Sequence, residues 1–195
     1  MWVIGNGESR KTIDINKLSG LCIGCDAIAR DYSVDYLVCV DRHMVDEVIR
    51  SNLNINIRVY TRSEWYEKYS KFLHVRELPE LPYQGTIRAD DTLHWGSGPY
   101  AVLLGALKTE CDVVNLIGFD LYSKDNKINN IYKDAQNYDS SNSEAVDPAY
   151  WIHQLKIVFD YFPNIQFVIY QDDNWKVPDL WFGPNVTLDR ISNIS

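Results

Sequence analysis

The chain has 195 residues, 46% of them apolar and 24% charged, and carries a formal net charge of -8. That length and apolar content suit one soluble domain with a full core. The acidic balance offers no basic face to a phosphate backbone, and no apolar run approaches the roughly 20 residues of a membrane helix, which argues against non-specific nucleic-acid binding and against a membrane span.

In chain order, an apolar strand at Trp2 to Ile4 runs into Gly5-Asn6-Gly7-Glu8-Ser9-Arg10. No basic region precedes it, so the stretch reads as a strand and not as a signal peptide, and a cytoplasmic protein is expected. Gly5 and Gly7 let backbone approach a phosphate or ribose, and Asn6 offers both a donor and an acceptor. Arg10 stands where a dinucleotide fingerprint has its third glycine, which argues against NAD. A second strand near Leu21 to Cys25 delivers Asp26 at its end, and a third at Tyr36 to Val40 delivers Asp41. Cys22 and Cys25 form a CxxC, but on a strand residues three apart point to opposite faces, so no zinc site is expected there. These two cysteines, Cys39 and Cys111 read as buried thiols.

A helix is predicted over 42–50, a strand over 56–61, a helix over 63–71, a short strand over 73–78, and then a loop marked by Pro79, Pro82 and Gly85. Ser97 is placed to cap a helix over 99–110, with Pro99 at its first position. The apolar run Val113 to Ile117 then ends in Gly118 and Asp120, as a buried parallel strand ends at a working edge. Residues 122–147 are polar and asparagine-rich, and a loop of that length inside a domain is usually a lid or binding loop, with Tyr122, Tyr132, Lys133 and Tyr138 as contact candidates. A helix from Asp147-Pro148 to Pro163 and a last core strand over 166–170 follow, and the aromatic tail after Trp175 is expected to pack across the sheet.

Strands alternating with helices predict an α/β fold: a single Rossmann-like domain over residues 1–195, its sheet mostly parallel and covered by helices on both faces. Ligands of such sheets bind at the carboxyl ends of the strands, where Gly5 to Gly7, Asp26, Asp41, Ser97, Gly98 and Asp120 all fall. A nucleotide site is the expectation.

The order of GNGES, the DYLVCVD strand ending at Asp41, WGSGPYA and LIGFDLY resembles a Rossmann-like family that includes the archaeal 6-hydroxymethylpterin pyrophosphokinases and the motility-accessory-factor glycosyltransferases. The S-G-x-Y and G-F-D-x-Y patterns are similar to bacterial sialyltransferases that use CMP-sialic acid, and the whole is similar to small phage-encoded members of this group, which would act in the host cytoplasm. The likeness spans residues 2 to 122. It implies that Asn6 and Gly7 contact a nucleotide, and Gly5 and Ser9 of the same loop are nucleotide-binding candidates beside them. It implies further that Ser97 and Gly98 lie near the base or phosphate, and that Gly118 and Asp120 flank the sugar. Tyr122 and Tyr132 match tyrosines that stabilise the leaving phosphate, and the general-base histidine falls in the region of His153. Glu8, Arg10 and Asp26 depart from the sialyltransferase pattern, and Asp26 fits the pyrophosphokinases better.

Two enzyme readings and one non-enzyme reading follow. In the first, the chain is a glycosyltransferase using a nucleotide sugar, with His153 or Asp120 as base and Tyr122, Tyr132 and the Ser97 helix start holding the phosphate. In the second it is an ATP-dependent pyrophosphokinase, with Asp26, Asp41 and Asp120 holding magnesium. In the third it binds nucleotide without catalysis. A nucleotide or nucleotide sugar is the expected ligand in each, and a homo-oligomer is compatible with all three.

Overall fold

The computed structural model describes residues 1–51, 57–82, 95–110, 112–123 and 125–194. Asn56, Gly85, Cys111 and the whole stretch from 83 to 94 lie outside the described residues. Among the described residues eight strands form one sheet: β1 (Trp2–Ile4), β2 (Cys22–Cys25), β3 (Tyr36–Val38), β4 (Arg58–Thr61), β5 (Val75–Glu77), β6 (Val113–Ile117), β7 (Gln166–Gln171) and β8 (Val186–Arg190). Their order is β5-β4-β3-β2-β1-β6-β7-β8, and each neighbouring pair is parallel.

Parallel pairing buries both faces, which is why the central strands are unbroken apolar runs. In β1, Val3 faces Ile23 of β2 and Leu116 of β6, and all three are fully buried. One face carries α3 (Ser97–Lys108), α4 (Ala149–Tyr161) and the tail tryptophans. The other carries α1 (Arg42–Arg50), α2 (Ser63–Tyr69) and three short 3₁₀ segments between Glu8 and Arg30.

α1 is amphipathic and buries Met44, Val45 and Val48. α3 is apolar on nearly every side, as a helix must be when it is enclosed between the sheet and α4. Gly105 permits that closeness, since a Cβ there would stand 2.9 Å from Val3 Cγ2.

Two sequence expectations change. The cap of α3 is Gly96, so Ser97 is its first residue and Pro99 its third. Pro99 is still tolerated, because amides of the first helical turn have no acceptor within the helix. The tail, in turn, supplies a strand: β8 pairs with β7 from Phe167↔Val186 to Gln171↔Arg190. Only Val186 and Leu188 alternate with polar residues there, a weak signal typical of an edge strand beside Gly183 and Pro184.

Candidate functional site

The strand order turns at β1. Strands β2 to β5 extend to one side of it and β6 to β8 to the other, so the loops after β1 and β6 flank the crevice where open α/β sheets bind ligands. The two loops touch through backbone. A Cβ on Gly5 would stand 2.4 Å from the Gly118 carbonyl oxygen, and one on Gly118 would stand 2.6 Å from that of Gly5. Gly118 also has a φ of +71°, so no other residue fits comfortably at that position.

Above this contact lies a cavity of about 680 Å³, the size of an ordinary ligand site. Gly5, Asn6, Gly7, Asp26, Asp41, Ser97, Gly98, Gly118 and Asp120 all line it. Ser9, Tyr122, Tyr132 and His153 do not.

The glycine loop is largely satisfied by the fold itself. Gly5 donates its amide to the Ile117 carbonyl at 2.8 Å, and Gly7 to that of Gly118 at 2.9 Å. Glu8 donates to Asn129 Oδ1 and Ser9 to Asp120 Oδ2, both at 2.9 Å. Asn6 alone in this loop keeps its amide unengaged among the described residues. The Asn6 side chain is tied as well: Nδ2 donates to the Cys25 carbonyl at 3.0 Å and Oδ1 accepts from Arg10 at 3.2 Å. Asp120 accepts from both the amide and the hydroxyl of Ser9 and from Gln171, so its carboxylate anchors the turn. Gly7 is required beside it, because a Cβ would stand 2.4 Å from Asp120 Cγ.

Donors remain elsewhere. α3 opens with the Ser97 and Gly98 amides, which have no helical acceptor and lie at the positive end of a 12-residue helix. The Ser97 hydroxyl donates to Asp26 Oδ1 at 2.8 Å and accepts from the Val40 amide at 3.2 Å. Asp26 sits in the left-handed region at φ 49°. Burial is the main cause that pushes its carboxyl up from 3.8 to about 7; the Ser97 bond opposes the shift and neighbouring Asp41 adds to it. A carboxyl shifted up toward neutral pH is matched to proton transfer.

Tyr132 is buried, donates to Asp31 Oδ2 at 2.8 Å and accepts from Arg10 at 3.4 Å. Burial pushes its hydroxyl up to about 12. Arg10, only 2% exposed, also donates to the Gly5 carbonyl at 2.7 Å and faces the Tyr32 and Tyr132 rings. Arg10 is thus the post under the glycine loop. Tyr122 packs on Trp175 at 6.2 Å between ring centres, and Trp175 donates to the Asp120 carbonyl at 2.6 Å. His153 is exposed on α4.

The described residues of the polar loop over 122–147 form a packed cover. Ile131 and Tyr138 pack against the core beside Tyr132, and Asn129, Asn130, Asn137 and Tyr138 line the cavity. Lys133 turns away to Glu8 at 3.1 Å. Arg30 grips Glu47 through two bonds of 2.6 and 2.7 Å and the Gln136 carbonyl at 2.8 Å, while Asn137 donates to the same Glu47 at 2.7 Å.

No family model matches the chain, and neither does any curated protein or solved structure. The site therefore rests on geometry. Sequence reasoning missed the wall residues Arg62, Trp95 and Trp151. Trp151 had a usable signal, since it stands near the start of a helix that begins at the working edge. Among the described residues no three His, Cys, Asp or Glu side chains gather as a metal site, and no helix is long and apolar enough to cross a membrane. Cys22, Cys25 and Cys39 are free and buried.

Proposed function

We propose that the cleft binds a nucleotide as part of an activated donor, most simply a nucleotide sugar, and that the chain is a group transferase with Asp26 as its base. The observation that carries this is the Asp26–Ser97 pair. It sets a carboxyl shifted up toward neutral pH beside the first-turn amides of α3, which have no acceptor within the helix.

In such a transfer the acceptor hydroxyl oxygen bonds to the donor carbon as the bond from that carbon to the phosphate oxygen breaks. The hydroxyl proton passes to Asp26, and the charge left on the departing phosphate is met by the Ser97 and Gly98 amides. A carboxylate at the end of the second strand also has the position from which Rossmann proteins hold a ribose hydroxyl. His153, Tyr122 and Tyr132 have no part in this scheme.

A second reading keeps magnesium. Asp26 and Asp41 line the same cavity, while Asp120 is engaged by Ser9 and Gln171. Magnesium carried in on ATP phosphates needs only one or two carboxylates, which suits a pyrophosphate transfer.

The test is thermal denaturation with nucleotides and nucleotide sugars, with and without magnesium. A ligand at 100 times its Kd adds about 2.7 kcal/mol of stability. A metal-independent shift by a nucleotide sugar, with release of its nucleotide on adding acceptor alcohols, supports glycosyl transfer. A shift by ATP only with magnesium supports the second reading. Shifts without turnover mark a nucleotide-binding protein, and no shift by any nucleotide overturns the proposal.

A further inference from the structure

The cavity has two characters. Part of its lining is polar, namely the Gly5–Gly7 turn, Asp26, Asp41 and the Asn129–Asn130 pair, and part is apolar, namely Trp151, Leu155, Val146, Ile128 and Pro99. Trp151 is the third residue of α4. Its pyrrole side lies over Gly96, where an added Cβ would stand 3.1 Å from Nε1 and 3.4 Å from Cδ1. The missing side chain at Gly96 thus lets the indole settle against the start of α3 while the residue stays partly exposed at the cavity. Val146, which also lines the cavity, is 56% exposed, an apolar group that folding has left uncovered.

The charged oxygens of a sugar phosphate gain nothing from apolar lining, because they would lose water there without gaining donors. A flat ring does gain, since it covers indole and aliphatic surface together and gains stacking or edge contacts. Resting on the nucleotide reading above, we infer that Trp151 is the platform for the nucleobase, with the ribose turned toward the polar lining residues.

The test compares the four common nucleoside 5′-monophosphates with ribose 5-phosphate, using the full chain as wild type, Trp151→Ala and Trp151→Phe. Alanine substitution at a base-stacking aromatic costs roughly 5- to 150-fold in affinity. The best nucleotide should bind wild type more tightly than ribose 5-phosphate does. It should weaken by about that range in Trp151→Ala, weaken much less in Trp151→Phe, and leave ribose 5-phosphate within about twofold throughout. Tryptophan emission of the wild type should be quenched by the nucleotide and not by ribose 5-phosphate, a readout that needs no variant. Equal binding of the nucleotide by Trp151→Ala and wild type, or a base that adds nothing over ribose 5-phosphate, overturns the platform and leaves the nucleotide site standing. Equal loss of both ligands would make Trp151 a structural residue and likewise overturn it. If no nucleotide or sugar phosphate binds wild type, the parent reading fails and the platform falls with it.

Discussion

The hydroxyl of Ser97 donates to Asp26 Oδ1 at 2.8 Å, so the first residue of α3 holds the carboxyl that closes β2. The bond limits a titration that would otherwise lie higher still, because burial dominates the Asp26 shift and Asp41 reinforces it, with Tyr138, Cys25 and Cys39 close by.

The sign of the pH dependence follows. Asp26 titrates higher in the folded chain than in the unfolded one, so its contribution to stability is complete below about pH 4 and is lost as the pH rises toward 7. Asp26→Asn should remove that slope, since asparagine tolerates a positive φ and still accepts from Ser97. At pH 8 the variant should be more stable than wild type by about 1 kcal/mol or more, given about 1.4 kcal/mol per pKa unit, and at pH 4 no more stable. Urea denaturation from pH 4 to 8 checks this, and parallel curves for the two chains would sink it. Transfer activity, if the proposal holds, should fall at least about 100-fold.

Gly7→Ala tests the Gly7–Asp120 contact. The Gly7 backbone, at φ -65° and ψ 151°, suits any residue, so the cost is steric alone: about 1–3 kcal/mol for forcing Asp120 away from Ser9. A double-mutant cycle with Asp120→Ala should show coupling of about 1 kcal/mol or more. Additive effects would mean that the two do not press on each other.

Two tyrosines should separate. Tyr132→Phe removes the hydroxyl between Arg10 and Asp31 and should cost about 1–3 kcal/mol of stability, with nucleotide affinity within about twofold. Tyr122→Phe keeps its ring on Trp175 and should change stability by less than about 0.5 kcal/mol. A tenfold or greater fall in turnover with unchanged affinity in Tyr122→Phe would instead restore its role at the leaving phosphate.

Arg30→Ala should loosen the cover without unfolding the domain. The Arg30 and Glu47 side chains are 21% and 17% exposed, and the pair ties Gln136 and Asn137 to α1. Hydrogen exchange should speed up around Asn137 and Tyr138 and stay unchanged in β1 and β6. Uniform acceleration over the whole chain would show that the pair supports the entire fold.

The strands and the edge they serve were legible because buried parallel strands are continuous apolar runs and their ends carry Gly or Asp. DYLVCVD and VVNLIGFD needed no partner to be read. What escaped depends on who meets whom. That Asp120 and the Gly5, Gly7, Glu8 and Ser9 amides bond to the fold itself is a property of contacts over 100 residues apart, such as Ser9 to Asp120, which no local pattern records. Tyr132 looked like a ligand contact because its loop seemed unable to build a core; Arg10 and Asp31 supply the partners that bury it. β8 escaped for the opposite reason, since an edge strand has little apolar periodicity to display.

The strand order also bears on how the chain is made. β1 finds β2 within some 20 residues, but its other edge waits for β6, more than 100 residues later. At the usual 5–20 residues per second this is on the order of 5–20 s, in which Val3 and Ile4 stand at an open sheet border. The nascent chain thus carries an unpaired strand edge, open to pairing with another chain, until β6 emerges and the cleft can form.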